Sequence, residues 1–366
     1  MVDFTYFMPT KIFYGKDCVI KNGTVLSTLG KKAMIVTGHS SAKKNGALTD
    51  IRSALEWAGI AWILFDAVEE NPSVQTVEQG AALAREKGVD FFIGIGGGSP
   101  MDAAKAMACL AANPQKSGED LYGAAMSHLP VVAIPTTAGT GSEVTQFSVL
   151  TRRSMRTKAS ISTHVFPVFA FLDGKYMDTL SARVTNETAV DALSHLTESY
   201  FHAQSNIMSE IAVESGFSMF AKCIPALRKR NYTSSDRQAL LLASNLGGIA
   251  IAQTGTSLPH GLGYFLTYEK GIPHGRANGL LMGAYLDLFM EKEGEKIQKM
   301  LSLLGFSSLD ELKAFFKEVL DTPETFSDAQ IKDFTKRVME TPAKLASFPY
   351  PVTEEMIYEL YAKSLL

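Results

Sequence analysis

A strand-like run, Asp90–Ile95, passes directly into Gly96-Gly97-Gly98-Ser99-Pro100, and this junction constrains the fold more than any other stretch. Glycines at the carboxyl end of a strand, opening a helix, gather unpaired backbone N–H groups and the positive helix terminus at one point. No Cβ obstructs an approaching oxyanion, and Pro100 near the first turn loses nothing by lacking an N–H. The pattern is not the G-x-G-x-x-G fingerprint, since Ser99 takes the last glycine position counted from Gly94. A tight turn without a ligand would use the same residues. Both readings require a strand followed by a helix.

The rest of the first half repeats that alternation. Ala33–Thr37, Ala61–Phe65, Val131–Ile134 and Val168–Leu172 are short apolar runs, while Gly46–Ala58, Ser73–Lys87 and Ser99–Ala112 have helical spacing or composition. Continuous apolar strands separated by helices indicate a parallel sheet covered on both faces. Phe147–Thr151 and Lys158–Ser162 predict a hairpin turning at Arg152–Met155. From about Met177 no strand is evident. Helices are expected over Asn186–Phe201, Ser209–Leu227, Ser235–Gln253, Ala277–Leu303, Leu309–Val319, Asp328–Met339 and Glu354–Leu365. The expectation is an α/β domain over 1–178 and an all-helical domain over 179–366.

A formal net charge of −3 gives no reason to expect nucleic acid or an anionic membrane as partner. No run approaches the roughly 18 apolar residues needed to cross a bilayer. Cys18, Cys109 and Cys223 have no paired spacing, so free thiols in a reducing compartment, and a cytoplasmic protein, are expected.

A second loop, Pro135-Thr136-Thr137-Ala138-Gly139-Thr140-Gly141-Ser142-Glu143, also follows a strand. Two such loops after parallel strands fall on one edge of the sheet, where open α/β sheets bind ligands. After the first of these apolar strands comes Gly38-His39-Ser40-Ser41, then Lys43 and Lys44. A carboxylate at that place would hold the ribose 2′-hydroxyl of NAD; glycine, hydroxyls and lysines suit the 2′-phosphate of NADP instead, with NAD as second candidate. A solvated surface loop would read the same way.

In Asp191-Ala-Leu-Ser-His195 a helix sets a carboxylate and an imidazole one turn apart on one face. His260 and His274 each lie between a proline and a glycine, so the backbone is shaped on both sides. Three imidazoles and a carboxylate suit a borderline divalent ion, iron(II) or zinc(II). His202, seven residues after His195, could share its helix face and is set aside; His39, His128 and His164 lack a metal-like context. Each histidine alone is more often structural than a ligand.

Together, Gly-Gly-Gly-Ser-Pro-Met-Asp-Ala-Ala-Lys (96–105), Pro-Thr-Thr-Ala-Gly-Thr-Gly-Ser-Glu (135–143), Asp-Ala-Leu-Ser-His (191–195) and the two His-Gly segments resemble the iron-containing (group III) alcohol dehydrogenases. The resemblance runs in order to about residue 285. It implies a Rossmann-like dinucleotide-binding domain and a helical metal-binding domain. It assigns the ligand role to Asp191, His195, His260 and His274, and the pyrophosphate to Gly97, Gly98 and Ser99, with Asp102, Thr136, Thr137, Thr140 and Ser142 nearby. Asn71 looks like the adenosine-side contact and Lys158 like the lysine that reaches the cofactor ribose. Phe147 and Phe265 are candidate apolar walls, Phe147 on the cofactor side. Gly38 stands where NAD-using members carry aspartate. Tyr264 stands where many relatives carry a second histidine proposed as a proton relay, and becomes one candidate for handling the proton. Relatives often form dimers through N-terminal strands, a part that Thr5–Tyr14 could take.

The implied reaction is hydride transfer between a primary alcohol or aldehyde and the nicotinamide. A glycerol-dehydrogenase-like or other polyol oxidoreductase on the same scaffold, or a dehydroquinate-synthase-like lyase, is the nearest alternative, and its ligand set typically has fewer histidines. A nucleotide-binding sensor without chemistry would have no reason to keep four ligands together.

Overall fold

The computed structural model describes residues 3–153, 157–320, 324–341 and 345–366. The chain divides into two compact units: Met8–Leu180, and Ser181–Leu366 together with the N-terminal segment as far as Phe7. Phe7 is held to the helical unit by its own backbone, which donates to the Gln253 amide oxygen at 3.1 Å and accepts from the amide nitrogen at 3.0 Å.

In the first unit the strands are β1 (Lys11–Tyr14), β2 (Lys32–Thr37), β3 (Ala61–Phe65), β4 (Phe91–Gly96), β5 (Val131–Pro135) and β8 (Phe169–Leu172), in the order β1-β8-β5-β4-β2-β3. Every pairing in this sheet is parallel. Alternate residues of the buried strands serve opposite faces. Met34, Val36 and Phe92 face α4 (Val74–Lys87) and α5 (Gly98–Ala112), while Ala33, Ile35, Phe91 and Ile93 join the core beneath α1 (Cys18–Asn22) and α3 (Ala47–Trp57). The short α2 (Ser41–Lys44) follows β2. Gly94 lets α5 lie against β4, since a Cβ there would come within 2.8 Å of the Met101 Cα. The expected hairpin forms as β6 (Val149–Arg152) against β7 (Thr157–Ser160), with Thr151 opposite Lys158. Part of its expected turn, residues 154–156, lies outside the described residues.

Among the described residues no strand follows β8. The second unit comprises α6 (Ala182–Tyr200), α7 (Ile207–Ala221), α8 (Ile224–Lys229), α9 (Ser234–Thr254), α10 (Leu258–Lys270), α11 (His274–Asp287), α12 (Gly294–Leu304), α13 (Leu309–Leu320), α14 (Asp328–Met339) and α15 (Glu354–Leu365). Three departures from the sequence reading have physical causes. The helix expected over Ser209–Leu227 breaks after Ala221, because Pro225 has no N–H and its ring would strike the carbonyl four residues back. The helix expected over Ala277–Leu303 stops at Asp287, and Phe289 then packs among Phe201, Tyr285 and Phe348 before the chain restarts at Gly294. Helix α10 was not expected at all. Its glycines are poor helix formers, yet Leu258, Leu262 and Leu266 form one fully buried stripe, and Pro259 sits harmlessly in the first turn. No helix among the described residues is long and apolar enough to cross a membrane.

Candidate functional site

Helix α6 begins at Ser181, whose hydroxyl accepts from the Val184 N–H, and carries Asp191 and His195 on one buried face. His260 falls in the first turn of α10, and His274 is the first residue of α11, with Pro273 as its cap. The structure brings all four side chains together. Asp191 Oδ1 lies 3.6 Å from His260 Nε2 and 3.8 Å from His274 Nε2. The His195 and His260 rings stack at 4.5 Å, and one donor atom each from Asp191, His195 and His260 lies within 4.8 Å of the others. Two ligands about 2.1 Å from a tetrahedral ion stand roughly 3.4 Å apart. Separations of 3.6 and 3.8 Å are too long for hydrogen bonds and close to the span of a shared cation. The donor set and its spacing therefore fit a divalent metal. His202 instead accepts from the Gln204 N–H through Nδ1, 3.0 Å away, in the turn that follows α6.

Two residues of this centre escaped the sequence reading. Glu198 is fully buried, with one carboxylate oxygen 2.5 Å from His260 Nδ1 and the other accepting the Ser257 N–H at 2.6 Å. Its position seven after Asp191 and three after His195 puts it on the same helix face, a signal that was available. Asn278, one turn after His274 and also fully buried, donates through Nδ2 to Asp191 Oδ1 at 2.9 Å. The same nitrogen lies 3.0 Å from His260 Nε2 and 3.4 Å from His274 Nε2. Tyr264 stacks on the His274 ring at 5.6 Å. Phe265, suggested as a pocket wall, is a core residue stacked on Phe334.

The phosphate cradle belongs to the first unit. The chain passes outward from β2 to β3, returns to β4 and continues to β5 and β8, so the sheet reverses direction between β2 and β4. Crevices at the carboxyl ends beside such a reversal are where open α/β sheets take nucleotides. Gly38-His39-Ser40-Ser41 leaves β2 there, with Ser40 capping α2, and Gly97 caps α5 directly after β4. Loop 136–142 lies against that helix start. A Cβ on Gly97 would be 3.2 Å from the Thr137 hydroxyl, and one on Gly98 would be 2.9 Å from Thr140 Cγ2. Thr136 N–H donates to the Gly96 carbonyl at 2.8 Å, and Ser142 N–H to the Thr140 hydroxyl at 3.3 Å. Ser99 accepts from the Asn71 N–H at 3.1 Å, so these two candidate contacts are neighbours.

Asp102 and Lys105 organise this loop. The Ser142 hydroxyl and the Val149 N–H both donate to the Asp102 carboxylate, at 2.6 and 2.9 Å. The Lys105 ammonium, fully buried, reaches the Ser142 carbonyl and hydroxyl and the Thr145 and Phe147 carbonyls, all within 2.9 Å. Burial pulls the Lys105 ammonium down to about 8 and pushes the Asp102 carboxyl up, each against the attraction of the other. Lys158, on β7, adds a further charge favouring ionised Asp102. Phe147 meets His164 edge to face at 6.3 Å. Lys43, counted as a phosphate donor, sits 2.5 Å from Asp66 and holds that carboxyl below the usual range.

Comparison with known proteins agrees with this arrangement. Residues 9–174 match the family model of iron-containing alcohol dehydrogenase, and residues 185–365 match that of the C-terminal region of the same family. The iron-containing alcohol dehydrogenase of Thermotoga maritima is 38% identical, with a TM-score of 0.93 and 99% of each chain covered. The NADPH-dependent butanol dehydrogenase of Clostridium saccharobutylicum is 30% identical over 351 residues, covering 91% of this chain and 88% of that protein. Lactaldehyde reductase of Escherichia coli K12 is 30% identical over 283 residues, 75% of this chain and 72% of that one. With both halves matched and the donor cluster in place, the chain belongs to the iron-containing alcohol dehydrogenase family, oxidoreductases that interconvert alcohols and aldehydes.

Proposed function

We propose that this chain is a metal-dependent alcohol dehydrogenase and aldehyde reductase, passing hydride between a small primary alcohol or its aldehyde and NADP(H). Iron(II) is the native ion of this reading, with zinc(II) suited to the same donors. The observation that carries it is the cluster of Asp191, His195 and His260, whose donor atoms lie within 4.8 Å of one another, with His274 Nε2 3.8 Å from Asp191 Oδ1. A divalent ion there supplies Lewis acidity toward an alcohol or aldehyde oxygen. Asp191, His195, His260 and His274 would hold that ion. Gly97, Gly98 and Ser99 offer N–H groups at the start of α5 to the cofactor pyrophosphate. Asn71, Asp102, Thr136, Thr137, Thr140, Ser142, Phe147 and Lys158 complete the cofactor side of the reading. Gly38 through Ser41 leave room and hydroxyls for a 2′-phosphate, for which Lys43 would exchange its pairing with Asp66. One relative, named as an NADPH-dependent butanol dehydrogenase, supports the substrate class and cofactor.

The test compares NADPH and NADH oxidation by butyraldehyde after anaerobic loading with iron or with zinc. Iron-loaded protein should consume NADPH, and His260→Ala should lose turnover while still binding NADPH. Near-normal turnover in His260→Ala would end the metal reading. The edge position of β1 and the exposure of Tyr14 favour a homodimer through Thr5–Tyr14, which light scattering would register as twice 39.7 kDa.

A further inference from the structure

We propose that Glu198 is the positioning residue of the metal centre, holding His260 as its Nδ1–H tautomer so that Nε2 keeps the unprotonated lone pair with which it would bind the cation. The inference rests on the metal reading above and adds a residue and a role to it. Two independent chains of contacts lead to the same proton position.

The first starts at the carboxylate. One Glu198 oxygen accepts a backbone N–H from Ser257 at 2.6 Å, and the other faces His260 Nδ1 at 2.5 Å. An ionised carboxylate can only accept, so the imidazole proton belongs on Nδ1. The second starts on the opposite side of the ring. The end of the Asn278 amide that faces Asp191 Oδ1 at 2.9 Å must be its NH2 group. That same nitrogen lies 3.0 Å from His260 Nε2, which must then be the acceptor. A proton on Nε2 would set donor against donor.

Charge points the same way. Asp191 and Glu198 are both buried beside three imidazoles that ligate only when neutral. Two carboxylates and a divalent cation sum to zero, which removes the penalty of burying either anion unpaired. Glu198 would thus act through His260 rather than as a ligand itself, since its oxygens are engaged by His260 Nδ1 and the Ser257 N–H. Such carboxylate–histidine–metal arrangements fix ring orientation and raise the basicity of the ligand.

Glu198→Gln tests this because an amide cannot satisfy both contacts. If its NH2 faces Ser257, it meets a backbone donor. If its NH2 faces His260, the ring proton is driven to Nε2, which can then no longer bind metal. Cobalt(II) affinity, measured by chelator competition, should fall about 10–100-fold in Glu198→Gln. The visible bands of bound cobalt should shift, and the metal-free variant should keep the far-ultraviolet circular dichroism of the wild type. Cobalt affinity and bands equal to wild type would overturn the proposal while leaving the metal reading intact; wild-type protein that takes up no cobalt would overturn both. Should the variant not fold, long-range proton–nitrogen spectra of metal-free wild type with labelled histidine decide the matter. His260, assigned by its absence from His260→Gln, should appear as the Nδ1–H tautomer, and an Nε2–H signal would refute the proposal.

Discussion

Replacing Gly275 by alanine tests how closely α11 must approach α6 for the metal donors to meet. Gly275 follows His274 in the first turn of α11 and lies against the stretch of α6 that carries Asp191. A Cβ at Gly275 would stand 2.1 Å from the Glu187 carbonyl oxygen and 2.8 Å from the Asp191 Cβ. Both obstacles are backbone or the first atom of a side chain, so no rotamer change relieves them. Even to reach 3.0 Å from that oxygen, the lower limit of real contacts, the two helices must part locally by about 0.9 Å. Metal–ligand distances tolerate only about 0.2 Å. His274 Nε2, already 3.8 Å from Asp191 Oδ1, would be carried out of range of a shared ion. Overpacking of this kind costs about 1–3 kcal/mol, and drawing the helices back on binding would weaken metal affinity by roughly 5–150-fold. The assay is cobalt or zinc affinity by chelator competition, together with metal content after dialysis. Gly294→Ala is the matched control, since a Cβ there meets nothing within 4 Å. Wild-type affinity in Gly275→Ala, within about twofold, would refute the packing argument.

Two further outcomes follow from the first unit. The Lys105 ammonium titrates near 8 in the folded protein against 10.5 for a free lysine, so between those values the unfolded chain binds more protons. Stability from this group is therefore flat below about pH 8 and rises above it; urea unfolding at about pH 7.5 and about pH 9.5 should show a gain on the order of 1–2 kcal/mol that Lys105→Met lacks, and equal gains in both proteins would contradict it. In the NADP reading, Gly38→Asp places a carboxylate where the 2′-phosphate would lie and should lower kcat/KM for NADPH about tenfold or more relative to NADH, a shift of at least about 1.4 kcal/mol; an unchanged cofactor ratio would remove Gly38 from that role.

The sheet was legible because buried parallel strands leave uninterrupted apolar runs. Phe91–Gly96 is buried throughout and passes straight into Gly97 at the cap of α5, as the residues required. Asp191 and His195 were legible as a pair because helical spacing alone puts them on one face. That His260 and His274 converge on them was not deducible from spacing; it depends on how α10 and α11 pack, and the helical spacing of Leu258, Leu262 and Leu266 in α10 was masked by the glycines between them. Glu198 and Asn278 hid for a different reason. Each lies within a helical turn of a recognised donor, but a carboxylate or an amide on a helix is ordinary until burial shows it has no water to face. Asp102 shows the converse, a recognisable motif residue whose carboxylate also shapes the loop through Ser142 and Val149.

The pairing of β1 with β8 has a consequence for how the protein is made. Lys11 lies opposite Phe169 and Tyr14 opposite Leu172, so the first strand leaves the ribosome long before the strand it docks against. At about 5–20 residues per second that wait lasts roughly 8–30 s. Meanwhile β2, β3 and β4 have neighbours close by in the chain. Synthesis therefore favours a sheet that grows from its β3 edge through β2, β4, β5 and β8, with β1 seated last at the opposite edge.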